Sequence, residues 1–118
     1  MLVVDDEPAI RLLCRVNLEL EGYDVREAGA LADARAVLDA EPVALVLLDM
    51  HIGNERGATL LEELRRREPR IPVLVVTGSS EVDAGEQPIE ADGVLGKPFT
   101  IDALVGTVRA LATPETAR

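Results

Sequence analysis

An α/β fold with a single parallel sheet is predicted by three observations. Short apolar runs alternate with amphipathic stretches from one end of the chain to the other. The runs at Ala44–Leu48 and Val73–Val76 are continuously apolar, as central parallel strands covered on both faces should be. Five strand-helix units follow one another in order, which right-handed crossovers turn into a parallel sheet. At 118 residues the chain fits one domain.

Taken in order, Leu2–Val4 is a short buried strand. The helical pattern after it places Ile10, Leu13, Cys14 and Leu18 on one face, and Gly22 closes it. Tyr23–Ala28 alternates apolar and polar as a second strand, and Leu31, Ala34, Val37 and Leu38 mark a second helix. Ala44–Leu48 is the third strand; a third helix with Leu60, Leu61 and Leu64 stops before Pro69. Val73–Val76 is the fourth strand, and Ser80–Ala91 is expected to be a fourth helix weakened by Gly85 and Pro88. Gly93–Leu95 is a brief fifth strand. Thr100 then caps a final helix with Ile101, Leu104, Val105, Val108 and Leu111 in register. Thr113–Arg118 reads as a frayed tail, so the domain is expected to span residues 1–112 and the tail 113–118.

Strand composition also suggests spatial order. The wholly apolar first, third and fourth strands look central, while the alternating second and the short fifth look like edges. That is the doubly wound order 2-1-3-4-5, with helices on both faces.

Composition excludes several classes of function. A formal net charge of −10 argues against direct nucleic-acid binding, which needs a basic face, and against an anionic membrane surface. The plain use of such acidity is solubility. The single cysteine, Cys14, excludes an internal disulfide and reads as a small buried hydrophobe. The N-terminus does not resemble a signal peptide and no apolar run approaches the roughly 20 residues that cross a bilayer, so a cytoplasmic location is expected.

In a sheet of this order, ligands bind at the carboxyl ends of the strands where the winding reverses, between strands one and three. Asp5 and Asp6 end the first of these and Asp49 ends the other. Three converging carboxylates repel one another unless a cation or a retained proton neutralises them. Mg²⁺ suits a few hard oxygen ligands completed by water or phosphate. Any one of these acids alone would more often be a turn or capping residue. Lys97 is the only lysine, the other eleven basic residues being arginine. It ends the fifth strand on the same rim, and its ammonium can reach across to Asp49. A cis Lys97–Pro98 bond would orient that side chain. Thr77 ends the fourth strand there too, where its hydroxyl could meet a phosphoryl oxygen or simply begin the turn at Gly78.

With these residues in place the chain resembles, over essentially its whole length, the receiver domain of two-component response regulators, a flavodoxin-like fold. Leu2-Val3-Val4-Asp5-Asp6-Glu7-Pro8 is similar to the family's first strand and acidic pair. Leu47-Leu48-Asp49-Met50 is similar to the phosphoacceptor strand, with Gly57 where a following glycine lies. Val75-Val76-Thr77-Gly78 and Gly96-Lys97-Pro98-Phe99 complete the set. The resemblance implies Mg²⁺-dependent transfer of a phosphoryl group to Asp49 from a histidine kinase, a phosphotransfer protein or a small phosphodonor. It implies Asp6 and Asp49 as metal ligands, Asp5 acting through water, the His51 backbone carbonyl as a further ligand, and Lys97 and Thr77 on the phosphoryl group. It implies no separate substrate, an output domain or partner on the face of the fourth helix, fifth strand and last helix, and the option of a homodimer.

The sequence departs from the family in three places. Ile52 and Gly53 replace the usual methionine and proline after the phosphoacceptor, which should loosen that loop. Val94 stands where a switching aromatic is common. The stretch between Thr77 and Lys97 is slightly short. Other classes weighed are an aspartyl phosphatase, disfavoured because Asp5 and Asp6 are adjacent, and a docking module independent of phosphorylation. No output domain follows the last helix in these residues, which fits either a stand-alone receiver or a piece of a longer regulator.

Overall fold

The structure, a computed structural model, describes residues 1–78 and 91–116, with side chains in the last helix as far as Ala112. In chain order its elements are β1 (Leu2–Val4), α1 (Pro8–Leu20), β2 (Arg26–Ala28), α2 (Leu31–Ala40), β3 (Val46–Asp49), β4 (His51–Ile52) and β5 (Glu55–Arg56). Then come α3 (Gly57–Arg65), β6 (Val73–Gly78), β7 (Gly93–Lys97) and α4 (Ile101–Thr116). Five strands form one sheet in the order β2-β1-β3-β6-β7, every neighbouring pair parallel. Counted over the sheet strands alone, this is the expected 2-1-3-4-5.

Alternate residues of each central strand enter two separate cores. Leu2, Val4, Val46, Leu48, Val73 and Val75 point to one side, where they pack with Leu31 and Ala34 of α2 and Leu60 and Leu64 of α3. Val3, Leu47, Leu74 and Val76 point to the other, against Cys14 and Leu18 of α1 and Leu104 and Val108 of α4. Both faces of each strand are therefore apolar, which is why these runs carry no alternation. Leu, Val, Ile and Ala build almost all of both layers.

Several boundaries differ from expectation. The second strand is only Arg26–Ala28: the Tyr23 N–H still bonds back to the Leu18 carbonyl at the end of α1, past a turn at Gly22 whose φ of +97° suits glycine. The fifth sheet strand runs on to Lys97, since Gly96 and Lys97 pair with Thr77 and Gly78 although neither adds an apolar side chain. The last helix continues to Thr116, through the start of the segment expected to fray; Pro114 withholds one donor N–H within the final turn without ending the helix. On α1, Leu13 is 39% exposed, so the buried stripe is Cys14 and Leu18 with Ile10 packed beside them. The helix expected over Ser80–Ala91 lies, but for Ala91, outside the described residues. The Lys97–Pro98 bond is cis, as is Glu68–Pro69.

Candidate functional site

Sheet register assembles the rim. Val4 pairs with Leu48 across β1 and β3, so Asp5 and Asp49 follow side by side. Asp49 pairs with Val76, Thr77 is the next residue along β6, and Gly78 pairs with Lys97. Residues distant in sequence thus reach one edge because their strands end together. Asp5, Asp49 and Thr77 are buried, and Asp6 is exposed.

One ligand atom from each of Asp5, Asp6 and Asp49 lies within 4.8 Å of the others. Lys97 Nζ donates to Asp5 Oδ2 at 3.0 Å and to Asp49 Oδ2 at 3.2 Å, with Glu7 Oε1 at 3.7 Å. The other oxygens serve local turns. Asp5 Oδ1 accepts the Glu7 N–H at 2.9 Å, and Asp49 Oδ1 accepts the His51 N–H at 3.1 Å. The turn role of these acids and their convergence are therefore both real: one oxygen of each serves the backbone and one faces the ammonium.

Burial, reinforced by the charge of Asp5, pushes the Asp49 carboxyl above its ordinary value, against the pull of the His51 N–H and Lys97. Burial alone would lower Lys97, but its hydrogen bond to Asp5 and the charges of Asp49 and Asp5 outweigh that and raise it. A small cavity beneath the carboxylates is lined by Asp5, Asp49, Cys14 and Val76. Burial first, then the charge of Asp5, pushes the Cys14 thiol up to about 11, so it stays protonated and unreactive.

Backbone around the acids is held from behind. Arg11 donates to the Asp5 carbonyl at 2.7 Å and is itself fixed by Glu27 at 3.1 Å. Gly57 donates to the Met50 carbonyl at 2.8 Å, and a Cβ added to it would lie 2.3 Å from the Asp49 carbonyl oxygen. Only glycine lets α3 start so close to that strand. His51 is exposed and pairs with Arg56 in the β4–β5 hairpin, and Gly53 donates to Asp6 Oδ2 at 2.9 Å. Val94 is 37% exposed and lies opposite Val75.

The structure thus brings Asp5, Asp6 and Asp49 within 4.8 Å of one another, sets Lys97 in hydrogen-bond range of Asp5 and Asp49, and places Thr77 on the adjoining strand. Sequence reasoning missed the Lys97–Asp5 contact, Arg11 and the Gly53 donor. The first two depend on rotamers; for the third, the unexpected glycine at position 53 marks a turn but not the partner of its N–H. The carboxylates fit a hard divalent cation: all three offer oxygen donors, and two of them are buried with only one ammonium between them.

Compared with known proteins, residues 1–109 match the family model of the response regulator receiver domain. The chain belongs to that family. The receiver is 38% identical over 117 residues to the DNA-binding dual master transcriptional regulator RpaA of Synechocystis, covering 94% of this chain and 48% of the relative. It is 34% identical to the response regulator protein PilR of Pseudomonas aeruginosa, covering 97% of this chain and 27% of the relative. It therefore spans less than half the length of these curated relatives. Among solved structures, the receiver domain of NtrX from Brucella abortus superimposes with a TM-score of 0.85 at 33% identity, covering 95% of this chain and 98% of that one. The response regulator TrrA of Thermotoga maritima, solved in complex with Mg²⁺-BeF, gives 0.83 at 30% identity, covering 93% and 96%. The receiver is a signalling domain of two-component systems. Receivers of this family bind Mg²⁺ at an acidic pocket and interact with histidine kinases and output domains. Among the described residues no helix is long and apolar enough to cross a membrane.

Proposed function

We propose that this receiver accepts a phosphoryl group on Asp49, with Mg²⁺ held by Asp6, Asp49 and the His51 carbonyl and Asp5 acting through water. The observation that carries the reading is the buried Asp49 carboxylate, with a ligand atom within 4.8 Å of one on each of two further carboxylates and 3.2 Å from the Lys97 ammonium. An Asp49 oxygen attacks phosphorus while the bond to the donor breaks; that bond is P–N in a phosphohistidine and P–O in acetyl phosphate. The leaving imidazole or acetate takes the electron pair. Bound Mg²⁺ supplies neutralisation of the charge on the transferring oxygens.

Lys97 stands ready to take one phosphoryl oxygen, giving up part of its contact with Asp49 as it does so. Thr77, buried on the neighbouring strand, supplies a hydroxyl donor to another. Movement of Thr77 toward the phosphoryl group then biases the surface around β7 and α4 without an aromatic at position 94, and that surface meets the output domain or partner. Residues 1–112 form this unit. It works in the cytoplasm, on no substrate but its own phosphoryl group.

Incubation with Mg²⁺ and acetyl phosphate, read on a phosphate-affinity gel, tests the assignment. The wild type is expected to shift and Asp49→Asn to stay put, while Lys97→Met is expected to label at least about tenfold more slowly. Equal labelling of wild type and Asp49→Asn would remove Asp49 from its role. The TrrA complex suggests a second readout: beryllofluoride with Mg²⁺ should shift amide signals at Thr77 and beyond the acidic pocket.

A further inference from the structure

The loop after the phosphoacceptor strand is more ordered than its sequence suggests. β4 and β5 form a hairpin in which His51 pairs with Arg56 and Ile52 with Glu55, and Ile52 is buried at 2% exposure. Its two-residue turn begins at Gly53, with φ of +59°, followed by Asn54, and among the described residues no non-glycine residue has positive φ. Positive φ at the first central residue is what tight hairpin turns use, and it suits the twist of the paired strands. The turn aims the Gly53 N–H at Asp6 Oδ2, 2.9 Å away and 47 residues earlier in the chain. A second fastening lies at the other strand, where Glu55 Oε1 accepts the Leu31 N–H at 3.2 Å.

Asp6 differs from its two companions. Asp5 and Asp49 are buried and each is held by a turn N–H and by Lys97, whereas Asp6 is exposed and accepts the Gly53 N–H. An exposed aspartate samples several rotamers, and ordering it on the arrival of a cation costs affinity. We propose that Gly53 is a positioning residue for the metal site: its N–H fixes the Asp6 carboxylate beside Asp5 and Asp49 before the cation arrives. A carboxylate oxygen has room for a hydrogen bond on one side while the group ligates on the other, the usual arrangement of partners that orient metal ligands. Proline at position 53 can supply neither the N–H nor the positive φ.

The inference rests on reading the three carboxylates as a Mg²⁺ site, and the experiment separates the two. Mg²⁺ is titrated calorimetrically into the full chain without phosphodonor, for wild type, Gly53→Pro and Gly53→Asn. Asparagine keeps the N–H and tolerates positive φ better than other L-residues. Gly53→Pro is expected to weaken Mg²⁺ binding by about 10-fold without abolishing it, since receivers with the family's usual proline there bind Mg²⁺ without this N–H, and Gly53→Asn to recover most of the loss. No Mg²⁺ uptake by the wild type overturns the metal reading itself. Uptake by Gly53→Pro at wild-type affinity overturns the positioning role alone, as does a loss in Gly53→Asn equal to that in Gly53→Pro. Should Gly53→Pro not fold, hydrogen exchange decides. The Gly53 amide of the metal-free wild type is expected to be protected, and to lose that protection in Asp6→Ala. Fast exchange in both proteins sinks the proposal.

Discussion

Asp5 and Asp49 each set one oxygen against the same ammonium, so two buried negative charges share one positive charge. Removing Lys97 leaves each with a single backbone N–H and no opposite charge. Lys97→Met is therefore expected to destabilise the metal-free fold by about 3 kcal/mol, the scale of breaking a buried pair, measured by urea unfolding at neutral pH. The sign of the pH dependence follows from the shifts. The folded-state value of Lys97 is raised, so its contribution is whole below the ordinary lysine value and is lost as pH climbs through the raised one. Asp49 is also raised, but as an acid: the folded state keeps its proton longer than the unfolded chain, so stability falls as pH rises from the ordinary carboxylate value through the raised one. Above that window the ionised Asp49 is a constant cost. Asp49→Asn is then expected to stabilise the metal-free receiver at pH 7 by on the order of 1 kcal/mol and to flatten the acid limb of its stability curve. A less stable variant would show that the carboxylate gains more from Lys97 than burial takes away. The placing of Asp5, Asp6, Asp49, Thr77 and Lys97 on one rim was legible in the sequence because strand ends can be counted from apolar runs. The sharing of Lys97 was not, because it is decided by side-chain torsions that leave no trace in residue type.

At the scale of the element, α2 begins without help from its own sequence. Its N-cap residue, Ala30, offers no side-chain acceptor, and the Leu31 N–H turns instead to Glu55 of β5. A helix capped from another element ties its first turn to that element's position. Glu55→Ala is expected to cost about 0.5–2 kcal/mol, and to raise hydrogen exchange at Leu31 more than in the middle of α2. Uniform exchange along the helix would mean that the contact is incidental. This hairpin is also where sequence reading fell short. Two-residue strands carry too little periodicity to register, and nothing in the residue type of Gly53 announces the hydrogen bond from its N–H to Asp6. β7 was underestimated for a related reason: Gly96 and Lys97 belong to the ladder through backbone pairing with β6, which the side-chain pattern does not report. The long helices and the central strands were legible because each buries a face, and buried faces are what apolar spacing records.

For the molecule as a whole, the doubly wound order carries the argument, since it ends β1, β3, β6 and β7 at one rim and gathers the acids of a chain whose formal net charge is −10. With Mg²⁺ held there as proposed, that arrangement makes the fold itself sensitive to the cation. A ligand that binds only the folded state stabilises it by RT ln(1 + [L]/Kd), roughly 1.4 kcal/mol at ten times Kd. For a domain of this size that corresponds to a rise in Tm of about 6 °C. The receiver is expected to show such a rise with MgCl2, reversed by EDTA, and growing with the logarithm of concentration once the site is saturated. Screening of the chain's acidity predicts something different, namely an equal rise with NaCl at matched ionic strength and no dependence on which acid is changed. Asp6 separates the two mechanisms. It is exposed, so Asp6→Asn removes the proposed ligand while altering net charge no more than neutralising any other surface acid. If the Mg²⁺-dependent rise survives in Asp6→Asn, the rim is responding as a charged surface; if it disappears there but persists in Asp102→Asn on α4, the rise belongs to the carboxylate cluster.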